Sequence, residues 1–163
     1  RVVLCIVHRL RVGTLATKAG QQGITTYMMT PDKDYGQLVT EHVFMYRPKY
    51  GDKEFEVMGI EQVKAKFDIQ SPSQVIDMLG LMGDASDNIP GCPGVGEKTA
   101  QKLIAEFGNI ENLLEHTDQL KGALKTKVET NREMITFSKF LATIKTDVPI
   151  ELDMNALVRN SSS

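Results

Sequence analysis

The sequence predicts an α/β front followed by an all-helical region. Two observations carry this reading. Up to about residue 60, short runs rich in Val, Ile, Thr and Tyr alternate with helical periodicity. From Ile60 onward the apolar residues recur three and four apart, in segments closed by Gly or Pro. The 163 residues suit one ordinary domain, or a small domain with part of another, and 41% hydrophobic residues suffice for a packed core.

The elements follow in order. Residues 2–7 read as a buried strand. Val12, Leu15, Ala16 and Ala19 then share a helical face, and Gly23 stops that helix. Residues 24–30 form a second strand running into Pro31-Asp32-Lys33-Asp34. Strands at 43–46 and 55–58 flank a Lys49-Tyr50-Gly51-Asp52 turn. A short helix covers 60–67. Ser71 is placed as N-cap and Pro72 as first residue of a helix whose stripe is Val75, Ile76, Leu79 and Met82. Ala100, Leu103, Ile104 and Phe107 make the next stripe, ended by Gly108. Asn109 caps a helix with Ile110, Leu113 and Leu114 inward. Helical patterning resumes from about 124 to 141, residues 148–150 are extended, and 160–163 read as a frayed end or the start of a linker.

Net charge is −2, so a basic coat for nucleic acid is absent and any DNA contact must be local. Cys5 and Cys92 form no C-x-x-C pair, which argues against a zinc site or a disulfide framework and suits a reducing cytoplasm. His8, His42 and His116 show no ligand spacing. The apolar start is too short for a membrane span and lacks a small-residue cleavage site, so the cytosol is the expected setting.

Two carboxylate pairs carry the chemistry. Asp32 and Asp34 lie two apart at a strand end, where extended geometry aims both at one point. The alternative is a solvated turn, because Pro-Asp and Asp-Tyr-Gly are ordinary turn chemistry. A calcium loop is set aside, since its Gly comes one place early and Val43 stands where a Glu belongs. Asp84 and Asp87 lie three apart, on one face of a helical turn. Like charges that close call for a cation. Capping is the alternative for both, and for Asn88.

Residues 91–99 nearly spell a nucleotide P-loop, but Glu97 stands where its Lys belongs, and a helix rather than a strand comes before. A helix-hairpin-helix turn fits better. There the N–H groups around Gly94, Val95 and Gly96 hold one DNA phosphate, and Lys98 adds charge. An ordinary tight helix connection is the bland alternative. Lys121, Lys125, Lys127 and Arg132 are either a solvated face or a track for a second stretch of backbone.

Three segments together resemble one family: Thr30-Pro-Asp-Lys-Asp-Tyr-Gly-Gln-Leu38, Gly80-Leu-Met-Gly-Asp-Ala-Ser-Asp-Asn-Ile-Pro-Gly91 and Pro93-Gly-Val-Gly-Glu-Lys-Thr-Ala100. They look like the 5′→3′ exonuclease domain of bacterial DNA polymerase I, which is similar to the flap endonucleases. Leu141-Ala-Thr-Ile-Lys-Thr-Asp-Val-Pro-Ile150 fits the same family, and the resemblance covers residues 12–158.

The resemblance implies a partial PIN-like α/β nuclease core over 1–70, a helix-hairpin-helix region over 71–158 and a tail or linker over 159–163. It implies a site of two divalent metals, normally magnesium with manganese able to substitute, at Asp32, Asp34, Asp84 and Asp87. It implies DNA binding by Gly94, Val95, Gly96, Lys98 and Thr99, and phosphodiester hydrolysis at a 5′ flap, nick or branch. A polymerase domain downstream in the parent gene and a bacterial cytoplasmic setting go with it.

The family pattern also holds acids ahead of residue 1 and a Glu-Ala-Asp-Asp run before Gly13-Thr14-Leu15-Ala16, where this chain has Val7-His8-Arg9-Leu10. The expectation is therefore an N-terminally incomplete domain, a fragment or frame-disrupted product that cleaves poorly alone. The alternative is a non-catalytic DNA-binding remnant using only the hairpin.

Overall fold

The computed structural model describes residues 3–6, 11–49, 51 and 54–149. Val7-His8-Arg9-Leu10, Tyr50 and Asp52 of the predicted turn, Ile150 and the tail at 159–163 lie outside the described residues.

Strand β1 (Val3–Ile6) leads through helix α1 (Val12–Gln21) to β2 (Thr25–Met29), which pairs parallel to β1 with Cys5 opposite Tyr27. A parallel pair needs a crossover, and α1 supplies it. Val12, Ala16 and Ala19 are buried on it, and Gly23 turns the chain at φ 74°. β3 (Val43–Pro48) pairs parallel to β2, and β4 (Phe55–Met58) pairs antiparallel to β3, giving the order β1-β2-β3-β4. Alternation is clean. Met28, Val43, Met45 and Met58 are buried, while Tyr27, Phe44, Tyr46 and Phe55 meet ring to ring on the opposite face.

The remaining helices are α2 (Ile60–Phe67), α3 (Val75–Met82), α4 (Glu97–Phe107), α5 (Ile110–Glu115), α6 (Gly122–Thr130) and α7 (Arg132–Ala142). Asn109 caps α5 as expected, accepting from Asn112 N–H at 2.8 Å. Ser71 caps differently from the expectation. Its hydroxyl bonds the Ser73 hydroxyl, and Pro72–Gln74 form a 3-10 turn before α3. The Gln74 carboxamide oxygen instead takes the N–H groups of Gln70 and Ser71, because its longer side chain reaches back to them. The single predicted helical stretch after residue 124 is two helices, broken at Asn131.

One core cluster runs from Ile6 of the sheet to Ala142 of α7. α3 lies at its centre, with Val75, Met78, Leu79 and Leu81 fully buried. Asp77 is buried there too. It accepts from Ile110 N–H at 3.0 Å and from Lys139 Nζ at 2.6 Å, and Lys139 also reaches Glu111 at 2.8 Å. Burial pushes the Asp77 carboxyl up, against the pull of Lys139 and the Ile110 N–H. This network ties α3, α5 and α7 together. Among the described residues no helix is long and apolar enough to cross a membrane. Cys5 and Cys92 are free thiols, exposed and buried respectively.

Candidate metal centre and phosphate-binding hairpin

Both carboxylate pairs are built by the same local device. After β2 the chain turns at Pro31, and Asp32 caps a 3-10 turn over Lys33–Leu38. Its Oδ1 accepts from Asp34 N–H at 3.0 Å. After α3, Asp84 caps a 3-10 turn over Ala85–Asp87, its Oδ1 accepting from Ser86 N–H at 2.9 Å. In each pair the first Asp bends the chain and the second rides on the turn. The strand geometry expected for Asp32 and Asp34 is therefore replaced by a turn, because the Asp32 side chain competes for the backbone N–H of residue 34. Asn88 closes the second turn in the left-handed region at φ 56°.

The two turns meet. Ligand atoms of Asp32, Asp34 and Asp87 all lie within 4.8 Å of one another. Asp34 is 6% exposed, and its Oδ1 is buried without a hydrogen-bond partner. Its carboxyl is pushed up to about 8, first by burial, then by a hydrogen bond with Asp87, then by the charges of Asp32, Asp87 and Asp84. Asp84 stands outside the group of three. Lys33 Nζ lies 3.4 Å from its Oδ2 and partly neutralises it. Lys33 was not singled out in the sequence. Its position between two Asp residues was the available signal. A groove of about 670 Å³ opens beside Asp84, lined by Met82, Gly83, Asn88, Pro90 and Phe137 among others.

A partnerless buried carboxylate oxygen facing two more carboxylates is costly without a compensating charge. A hard divalent cation with oxygen ligands is the group this donor set fits.

The hairpin lies close by, because Gly83 and Gly91 cross at the base of the loop that separates α3 from α4. Both have positive φ, 74° and 67°, and a Cβ on Gly91 would strike the Gly83 backbone nitrogen. Cys92 N–H donates to Leu81 O at 2.7 Å, fixing the exit from α3. Gly96 is the N-cap of α4, with Lys98 exposed and Thr99 half-buried in its first turn. Val95 departs from its expected role. Its side chain is in the core, and its N–H donates to Cys92 O at 3.1 Å, within the turn. The donors left for an anion are those of Gly94, Gly96 and the first turn of α4. Lys127 of α6 packs over Gly94, where a Cβ would come within 2.9 Å of its Nζ. One member of the basic stretch therefore belongs to the hairpin.

Comparison with known proteins bears on these features together. The sequence model of the family described as "5'-3' exonuclease, C-terminal SAM fold" matches residues 70–163. DNA polymerase I of Bacillus subtilis (strain 168) is 46% identical over 147 residues, covering 90% of this chain and 17% of that protein. DNA polymerase I of Bacillus caldotenax is 44% identical over 145 residues, covering 88% of this chain and 16% of that protein. The chain thus spans about a sixth of the length of these relatives. Among solved structures, the zinc-bound T5 5′-exonuclease superposes with a TM-score of 0.71 at 20% identity, over 83% of this chain and 49% of that one. A T5 D15 flap endonuclease mutant in complex with DNA and metal ions gives 0.67 at 21% identity, over 78% of this chain and 46% of that one. At these identities the structural likeness shows a shared fold.

Proposed function

Since the chain belongs to the 5′-3′ exonuclease family with the C-terminal SAM fold, we propose that it is the metal-dependent 5′-3′ exonuclease and flap endonuclease portion of a DNA polymerase I-type protein. The observation that carries this is the three-carboxylate cluster with its buried, partnerless Asp34 oxygen. Asp32, Asp34 and Asp87 would hold the cation, magnesium or manganese, with Asp84 completing the charge beside Lys33. When bound, such ions activate a water and stabilise the leaving oxygen of a phosphodiester.

The chain's own residues do the rest. Gly94, Gly96, Lys98, Thr99 and Lys127 would grip one phosphate of the duplex. Backbone donors and lysines carry no base information, so recognition is of DNA shape, at a 5′ flap, nick or branch. Residues 1–70 serve as part of the PIN-like core, 71–158 as the DNA-gripping region and 159–163 as tail or linker. The setting is the bacterial cytoplasm, with a polymerase domain as neighbour in the parent gene.

A second reading is a DNA-binding module without catalysis. It is favoured by the basic and apolar Val7-His8-Arg9-Leu10 where the resemblance implies acids. The test is cleavage of a labelled 5′-flap duplex with magnesium or manganese, with Asp84→Asn as control and binding followed in parallel. Metal-dependent cutting lost in the control supports the nuclease. Binding without cutting supports the module. Neither binding nor cutting overturns both.

A further inference from the structure

The two aspartate pairs come from loops 50 residues apart in sequence, yet they must keep a spacing within ångströms to hold one cation. Neither pair hydrogen-bonds the other through backbone among the described residues. Side chains do link them, with Lys33 Nζ 3.4 Å from Asp84 Oδ2 and Asp34 hydrogen-bonded with Asp87. Each pair is also fastened to α7 and the segment after it, which give no acid to the cluster. On one side, Ser138 is fully buried, and its Oγ accepts from Gly91 N–H at 2.9 Å while donating to Met134 O at 2.7 Å. Gly91 is crossed with Gly83, and together they close the loop that carries Asp84 and Asp87. On the other side, Gln37 Nε2 donates to Asp34 O at 3.0 Å and to Ala142 O at 2.8 Å. Gln37 Oε1 accepts from Ile144 N–H at 2.9 Å. The Gln37 carboxamide thus joins the Asp34 turn directly to the end of α7.

Building on the metal reading above, we propose that Ser138 and Gln37 are positioning residues that register the Asp32–Asp34 turn against the Asp84–Asp87 loop through α7. Ser138 sets the height of the Asp87 turn by holding Gly91. Gln37 sets the Asp34 turn by holding its carbonyl. Both bonds end on α7, at Ser138 and Ala142, four residues apart on one rigid rod, so the helix constrains the spacing of the two turns from outside the cluster. Losing the Ser138 bond leaves the buried Gly91 N–H unpaired, and losing Gln37 frees the part-buried Asp34 and Ala142 carbonyls and the Ile144 N–H. Either change lets one pair drift from the other.

The test is Mn²⁺ binding to the full chain, read from the free-ion EPR signal. Ser138→Ala, Gln37→Met and Asn109→Ala are compared at a temperature where all are folded. Asn109→Ala removes the α5 cap, touches neither acidic loop, and controls for lost stability. The expected result is about tenfold weaker Mn²⁺ binding in Ser138→Ala and in Gln37→Met, with Asn109→Ala unchanged. Affinity for a nicked duplex in EDTA stays at the wild-type value in both. Wild-type Mn²⁺ affinity in the two positioning variants overturns the proposal and leaves the metal reading standing. Equal weakening in Asn109→Ala overturns it as well, since the effect would then follow stability. No Mn²⁺ binding by the wild-type chain sinks the metal reading and the proposal together.

Discussion

Replacing Asp34 by Asn removes the group that the cation-free fold tolerates least. In the folded chain this carboxyl sits at about 8 against an ordinary 3.8, so at neutral pH it stays protonated while the unfolded chain ionises it. The folded state then binds the extra proton, and stability falls as pH rises between these values. At about 1.4 kcal/mol per unit, over roughly three units up to pH 7, the ceiling is about 4 kcal/mol. Asn must still seat its amide among oxygens, so the expected gain is about 2–4 kcal/mol at pH 7–8, or roughly 5–10 °C in Tm for a chain of this size. The assay is thermal unfolding of both proteins in EDTA from pH 4.5 to 9. The gain should be small at the acid end, grow with pH and level off above about 8. Magnesium should raise the wild-type Tm and leave the variant unmoved. A variant less stable than wild type at pH 8, or a gain independent of pH, refutes the argument that buried repulsion strains the cluster.

Other outcomes follow from the same structure. Lys98→Ala should weaken duplex binding severalfold and reduce the salt slope of log K by about one, measured by fluorescence anisotropy across salt concentrations. Lys139→Met leaves buried Asp77 with the Ile110 N–H as its hydrogen-bond donor among the described residues, and should cost about 3–5 kcal/mol in urea unfolding. Iodoacetamide at pH 8 should label exposed Cys5 and spare Cys92, whose thiol is buried and pushed up by that burial, as mass spectrometry of the native chain would show.

The order and type of the elements were open to sequence reading, because local forces set them. The period of Val12, Ala16 and Ala19, the stop at Gly23, the cap at Asn109 and the alternation through Val43 and Met45 each act within a few residues. The four aspartates were likewise visible, since their spacing and their neighbouring Pro and Gly residues are local. What the sequence could not contain is distance between segments. Lys33 against Asp84, Lys127 over Gly94, Ser138 under Gly91 and Gln37 against Ala142 are contacts between residues 33 to 105 apart in the chain. They exist only once the helices have packed.

Tertiary structure also decided which aspartate is strained. Asp34 and Asp84 look alike as letters, but burial orphans an oxygen of the first while Lys33 reaches the second. The sequence by itself determined the turns and the acids they carry. Packing alone decided that Asp32, Asp34 and Asp87 converge, because desolvation and charge repulsion depend on what surrounds a group in space rather than on what flanks it in the chain.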